Sequence, residues 1–268
     1  VVNKPGAGGI IGHRFFLDQP DDGHFMISTT MAPNLINNIL VDNAPYQMSD
    51  FRWINAQVVQ GFVLCTPKDG GYTDAASLVQ AIIDNPGTIS TAQNRLSGGH
   101  LATVVLMDAL GLPSDGVRLV TYDGGGAPVR AAVAGGQVDF TITSSDGAKS
   151  IADRVNFLGQ FAPEPIEGFE DVPMINDELA AAGLPTLPAS LMDSQVYQGI
   201  GVHRSFADRY PERFDALVAA YREMLEDDGF QRFARNSDLM ARWIGPERTQ
   251  ALVEASLELQ EQYIEFMR

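Results

Sequence analysis

At 268 residues, 45% hydrophobic and 19% charged, the chain can bury one large core or two of ordinary size, and its composition excludes a disordered polymer. Acidic residues outnumber basic ones 34 to 18, and the formal net charge of −16 excludes a nucleic-acid-binding face and attraction to anionic membranes. Its one cysteine, Cys65, ends the apolar run Phe62-Val63-Leu64, so it reads as a core thiol with no disulfide partner. No apolar run reaches the roughly 18 residues of a membrane span.

In chain order, Val1-Val2-Asn3-Lys4-Pro5-Gly6 reads as the end of a strand entering a turn, an opening in mid-element without a signal peptide. Gly6-Ala7-Gly8-Gly9-Ile10-Ile11-Gly12 leads into a helix through about Leu17, and Pro20-Asp21-Asp22-Gly23 is a turn. His24 to Thr30 is a strand, and Thr29-Thr30-Met31-Ala32-Pro33 runs into a short helix near Asn34 to Leu40. Phe51 to Thr66 holds one or two strands. Pro67 to Tyr72 is a candidate crossover, and Thr73 is placed to cap a helix with Leu78, Val79, Ile82 and Ile83 on one face. Thr88 to Ala92 is a strand, Gln93 to Gly99 a polar loop, and His100 to Leu110 a buried helix.

Val117 to Thr121 then forms a strand and Pro128 to Val133 a helix, joined by Tyr122-Asp123-Gly124-Gly125-Gly126. Strands follow at Val138 to Thr143, Val155 to Gln160 and Ser194 to His203, with Ser144-Ser145-Asp146-Gly147 read as a loop. A short helix covers Asp177 to Ala182. Phe214, Leu217, Val218, Tyr221 and Leu225 stripe a longer one, and Glu247 to Arg268 is the last. Strands alternating with helices mean an α/β chain with mostly parallel sheets.

Four strand-to-helix loops share one design: Gly8-Gly9, Thr29-Thr30-Met31, Gln93 to Gly99, and Tyr122 to Gly126. Such loops gather at the carboxyl ends of parallel strands, where α/β proteins bind ligands. Each offers amides, hydroxyls or a carboxamide, and none offers a catalytic pair. A helix N-terminus carries about half a positive charge and free N–H donors, so the three glycines at 124–126 suit a carboxylate or phosphate as well as a plain tight turn.

Gly6 to Gly12 is one residue off a dinucleotide fingerprint, and the next strand ends in Thr29-Thr30 without the ribose-binding acid, so no cofactor is expected. His13, His24, His100 and His203 lack ligand spacing, so no metal is expected either. His100 suits a capping, ligand-contacting or packing role. Ser144-Ser145-Asp146 suits a helix cap or a site wall, Tyr122 a cleft hydroxyl or a packed ring, and Arg95 an anion clamp or a solvated surface.

Several motifs recur together in a known family. Val2-Asn3-Lys4-Pro5-Gly6-Ala7-Gly8-Gly9 with Pro20-Asp21-Asp22-Gly23-His24 resembles the opening of the tripartite tricarboxylate transporter receptors, the Bug proteins. Asn85-Pro86-Gly87-Thr88-Ile89, Ser97-Gly98-Gly99-His100-Leu101-Ala102, Tyr122 to Pro128, Gly135-Gly136-Gln137-Val138-Asp139, Asp171-Val172-Pro173 and Ala182-Gly183-Leu184-Pro185 follow in the family's order. The resemblance implies a two-lobe, type II-like periplasmic-binding-protein fold, each lobe a mostly parallel sheet flanked by helices. Residues 1–66 with 191–268 would form lobe I, and 67–190 lobe II.

It further implies a receptor, not an enzyme. Such a receptor closes on a small organic di- or tricarboxylate and delivers it to a membrane permease, as a periplasmic monomer secreted by a signal outside this chain. Thr29, Thr30 and Met31 would contact the ligand from lobe I, and Asn94, Ser97, His100, Tyr122, Gly124, Gly125 and Ser144 from lobe II. Glycine-loop amides would then supply the positive potential without a cationic side chain.

Three departures stand out. The family's first strand, helix and glycine-rich loop would precede Val1. Thr143-Ser144 replaces a common acid–amide pair, which disfavours amino-acid ligands, and Val202 to Ala207 replaces the family's return-strand motif. A small hydrolase or isomerase using His100, Tyr122 and Asp146 is the competing class, and a ligand-sensing domain of a regulator the third.

Overall fold

A computed structural model describes residues 1–122, 125–237 and 239–267. In chain order its elements are α1 (Ile10–Leu17), β1 (Ile27–Ala32), α2 (Asn34–Leu40), β2 (Phe51–Gln60), β3 (Phe62–Pro67), α3 (Ala75–Asp84), β4 (Ser90–Asn94) and α4 (Gly98–Ala109). There follow β5 (Arg118–Tyr122), α5 (Gly126–Ala134), β6 (Thr141–Ser144), α6 (Ser145–Lys149), β7 (Val155–Phe161), α7 (Ile175–Ala181), α8 (Ala189–Asp193) and β8 (Val196–His203). The chain ends with α9 (Arg204–Arg209), α10 (Pro211–Glu226), α11 (Asp228–Asn236) and α12 (Pro246–Met267).

The chain divides into two compact units. The first is Val1–Val59 with Val196–Glu258; the second is Gln60–Gln195 with the last residues from Leu259 on. In the first unit the strand order is β1-β8-β2, and β8 runs antiparallel to β1. Its core joins Phe51 and Trp53, stacked at 5.4 Å, to Met31, Leu35, Ile36, Tyr46 and Tyr197, all buried. Ile54, Val202, Phe206 and Phe214 form a smaller cluster under α9 and α10.

In the second unit β4 and β5 pair in parallel, with Asn94 opposite Tyr122 at their carboxyl ends. A parallel bridge from Thr91 to Phe140 brings in the start of β6, and β3 lies between β6 and β7, antiparallel to both. Strands β4, β5, β6 and β7 therefore share one direction. Helix α5 seats Val129, Ala132 and Val133 on the sheet against Val63, Cys65 and Ala92.

The parallel expectation thus holds for the consecutive strands of the second unit, except for β3, and fails at the β1–β8 pair. Alternation of strands and helices speaks only for neighbours in sequence. It says nothing about a strand inserted from far along the chain, as β3 and β8 are.

Local departures have physical reasons too. Val1 to Gly6 form no strand, and Val1 and Val2 are exposed, because no neighbouring strand takes their backbone groups among the described residues. Helix α3 is capped by Asp74, not Thr73: the Asp74 carboxylate accepts from Ser77 N at 2.7 Å. The stretch read as a loop at Ser144 to Gly147 begins α6 at Ser145, and Ser144 occupies its N-cap position without a side-chain cap bond. No helix is long and apolar enough to cross a membrane among the described residues.

Candidate functional site

The second unit builds its candidate site from three strand ends. Strands β4, β5 and β6 finish at Asn94, Tyr122 and Ser144, and helices α4, α5 and α6 begin close behind them. Because the strands share a direction, these three ends and helix starts fall on one edge of the unit, the edge where open α/β sheets take ligands.

Asn94 and Tyr122 tie the first two ends together: Asn94 Nδ2 donates to the Tyr122 carbonyl at 2.8 Å. The Tyr122 hydroxyl reaches Gln137 Oε1 at 3.3 Å. Ser97 is the N-cap of α4, its Oγ accepting from His100 N at 3.1 Å. His100 answers with Nδ1, which accepts from Leu96 N at 3.2 Å. The pair resembles a capping box with imidazole in place of carboxylate, except that the returning bond comes from Leu96, one residue before the N-cap.

The bond from Leu96 requires an unprotonated Nδ1, so the neutral ring carries its proton on Nε2. Burial, with Arg95 adding repulsion, pushes the His100 pKa down to about 4. Arg95 itself is exposed. Gly98 and Gly99 let α4 approach the sheet closely: a Cβ on Gly99 would strike the Ile142 carbonyl oxygen and come within 2.6 Å of Gln93 Oε1.

At α5, Gly125 occupies the N-cap with φ +85°, a conformation that side chains rarely adopt, and a Cβ there would meet nothing within 4 Å. Gly124, like Asp123, lies outside the described residues. Ser144 is half-buried at the end of β6. The site also includes a residue that sequence reasoning passed over, Arg130. Its Nη1 stands 2.5 Å from where a Cβ would sit on Gly126, and equally close to that point on Gly147, while Ser144 Oγ is 3.2 Å from the Gly147 point.

In the first unit, Thr29 and Thr30 are half-buried on β1. Thr29 Oγ1 lies 2.7 Å from His13 Nε2, and the other ring nitrogen lies 2.8 Å from the Tyr46 hydroxyl. Asn38 Nδ2 donates to that hydroxyl and to the Gly8 carbonyl, each at 3.3 Å. Burial lowers the His13 pKa to about 4 as well. The network orients the Thr29 hydroxyl and anchors the Gly8-Gly9 turn. No spacing rule connects His13, Asn38 and Tyr46, so only folding reveals it.

Met31 belongs to the core. The pairing register with β8 shifts between Thr30 and Ala32, so Met31 is the extra residue of a bulge, and it is 0% exposed. Alternation already sets Met31 on the face of buried Ile27, and the bulge re-aims the next residue, so that Ala32 is buried as well. No cluster of three metal-ligating side chains occurs among the described residues. The Cys65 thiol is fully buried and its pKa is pushed far up by burial, which makes it inert at neutral pH.

The family model for the tripartite tricarboxylate transporter family receptor, TctC, matches residues 1–178. The chain belongs to this family. A curated relative from Pseudomonas sp. (strain P51), described as a protein of the tcbD-tcbE intergenic region, is 31% identical over 225 residues. The match covers 82% of this chain and 64% of that relative, so the chain spans just under two thirds of the relative's length.

Among solved structures, a TctC solute-binding protein from Polaromonas without ligand aligns with TM-score 0.78 at 18% identity, over 98% of this chain and 85% of that one. An R. palustris protein with adipate aligns with TM-score 0.72 at 22% identity, over 99% and 85%. MatC from Rhodopseudomonas palustris with bound malate aligns with TM-score 0.64 at 18% identity, over 98% and 85%. TctC proteins are solute-binding receptors, not enzymes. In this TctC chain His100 serves the start of α4, its ring accepting from Leu96 N.

Proposed function

We propose that this TctC-family chain is a periplasmic receptor that captures a small organic carboxylate and delivers it, as a monomer, to a tripartite tricarboxylate-type permease. The observation that carries the reading is the convergence of three strand ends and three helix starts at Asn94, Tyr122 and Ser144. Hydroxyls, a carboxamide and the backbone amides of helix starts collect there, a donor set suited to carboxylate oxygens directly or through water. Two related folds carry adipate and malate, which supports the ligand class. Thr29 and Thr30 are the contacts proposed on the first unit.

A thermal-shift panel of di- and tricarboxylates, aromatic carboxylates, amino acids and nucleotides tests this. Ligand at 100 times its Kd adds about 2.7 kcal/mol, which raises the melting temperature by roughly 5 °C or more for a chain of this size. A carboxylate hit supports the reading. Stabilisation by nucleotides alone, or by nothing in the panel, overturns it.

A further inference from the structure

Gly126 and Gly147 pose a question that their backbones do not answer. Gly126 opens α5 and Gly147 lies inside α6, and neither has a positive φ, so an alanine backbone would fit at both positions and favour the helix. What a side chain at either point would meet is the flexible end of Arg130, which would have to move aside. A Cβ on Gly126 would come within 2.5 Å of Arg130 Nη1, and a Cβ on Gly147 within 2.5 Å of Nη1 and 2.9 Å of Cζ. The absence of a side chain at both points leaves room for this one guanidinium.

The seat lies at the candidate site. The Gly147 point is 3.2 Å from Ser144 Oγ, and the Gly126 point is 4.0 Å from Thr143 Oγ1, both at the carboxyl end of β6. Arg130 is half-buried, and its charge is close enough to the sheet to act on the Cys65 thiol, opposing the effect of burial there. Among the described residues no carboxylate pairs with it; the arginine ion pairs found join Arg52 to Glu247, Arg154 to Asp153, Arg209 to Asp21 and Arg222 to Glu226. This half-buried guanidinium beside the strand ends thus has no carboxylate paired with it among the described residues, and its charge is available to an anion.

We propose that Arg130 reads the negative charge of the ligand, its planar fork taking one carboxylate beside Ser144. This rests on the receptor reading above and replaces the expectation that backbone amides alone supply the positive potential. A guanidinium binds a carboxylate through two parallel N–H donors, and it distinguishes carboxylate from the isosteric amide, which the neutral donors around it do far less. The substrate class narrows accordingly, to small acids with a carboxylate that cannot be exchanged for a carboxamide.

Calorimetric titration with succinate, adipate and their monoamides, succinamate and adipamate, tests the assignment on the wild type and on Arg130→Gln, Arg130→Lys and Gly147→Ala. The wild type binds a diacid about 10- to 100-fold more tightly than its monoamide, the range of a charged hydrogen bond. In Arg130→Gln that preference collapses to within about 3-fold, and Arg130→Lys keeps part of it. Gly147→Ala keeps the arginine but displaces its fork, so it loses the preference while melting no lower than the wild type. Its stability separates a lost contact from a damaged fold. A folded Arg130→Gln that keeps the full preference overturns the role of Arg130 and leaves the receptor reading standing. A wild type that binds diacid and monoamide alike does the same. A wild type that binds none of the four, with no carboxylate hit in the thermal panel, overturns both.

Discussion

Ser97 joins a structural role, the cap of α4, to a proposed one at the ligand. Its hydroxyl is occupied in accepting from His100 N, so removing it exposes an orphan donor at the start of α4. Ser97→Ala should cost about 1 kcal/mol by urea denaturation, the usual value of an N-cap. Ser97→Asp should keep the cap, because a carboxylate accepts the same bond, yet bind a dicarboxylate at least tenfold more weakly by placing a negative charge at the strand ends. An Asp variant that binds as tightly as the wild type would remove Ser97 from the ligand's surroundings. The same residue-level view accounts for Met31. It adjoins Thr29 and Thr30 in sequence, but it shares the strand face of buried Ile27 and packs in the core. Asp74 takes the cap that Thr73 was equally placed to provide, a choice between adjacent acceptors that depends on the entry angle of the chain.

Among the elements, α5 and the turn before it matter most. Gly125 holds φ +85° in open space, so a larger residue there meets no neighbour and suffers only conformational strain. Gly125→Val should destabilise the folded protein by about 1–3 kcal/mol and re-aim the first turn of α5, with weaker carboxylate binding by titration. Full affinity in a folded variant would show that this turn does not touch the ligand. Strand β5, helix α5 and helix α12 were legible from periodicity and from turn residues, because both are local signals. The start of α6 was not. Ser144 to Gly147 has the composition of a loop, and the helix forms there because β6 ends against β3, with Ser145 N donating to the Gly61 carbonyl.

For the whole molecule, each unit carries a histidine whose burial favours the neutral ring, His13 in the first and His100 in the second. Burial depresses both from the usual 6.5 to about 4. The unfolded chain therefore binds protons that the folded one rejects, and stability rises with pH between those values. The stabilisation is complete above about pH 6.5 and is lost as pH falls toward 4. Melting temperatures measured from pH 7 to pH 4.5 should fall, and His13→Gln or His100→Gln should each flatten the slope relative to its own value at pH 7. An unaltered slope in both variants would show that the two rings do not govern the acid limb.

The sequence alone determined the α/β class, most element positions and the receptor family, since these depend on periodicity, on turn chemistry and on motifs kept in order along the chain. It also located the strand-to-helix loops, because a glycine or serine between a strand and a helix signals its own role. Only the tertiary structure decided which strand lies beside which, that Met31 faces the core, and that His13, Asn38 and Tyr46 stand around Thr29. Arg130 is the clearest case. In sequence it is one polar residue on an amphipathic helix, and nothing marks Gly126 and Gly147 as its seat. Long-range proximity leaves no local pattern, because the contact depends on the path of the whole chain and not on the residues that flank each partner.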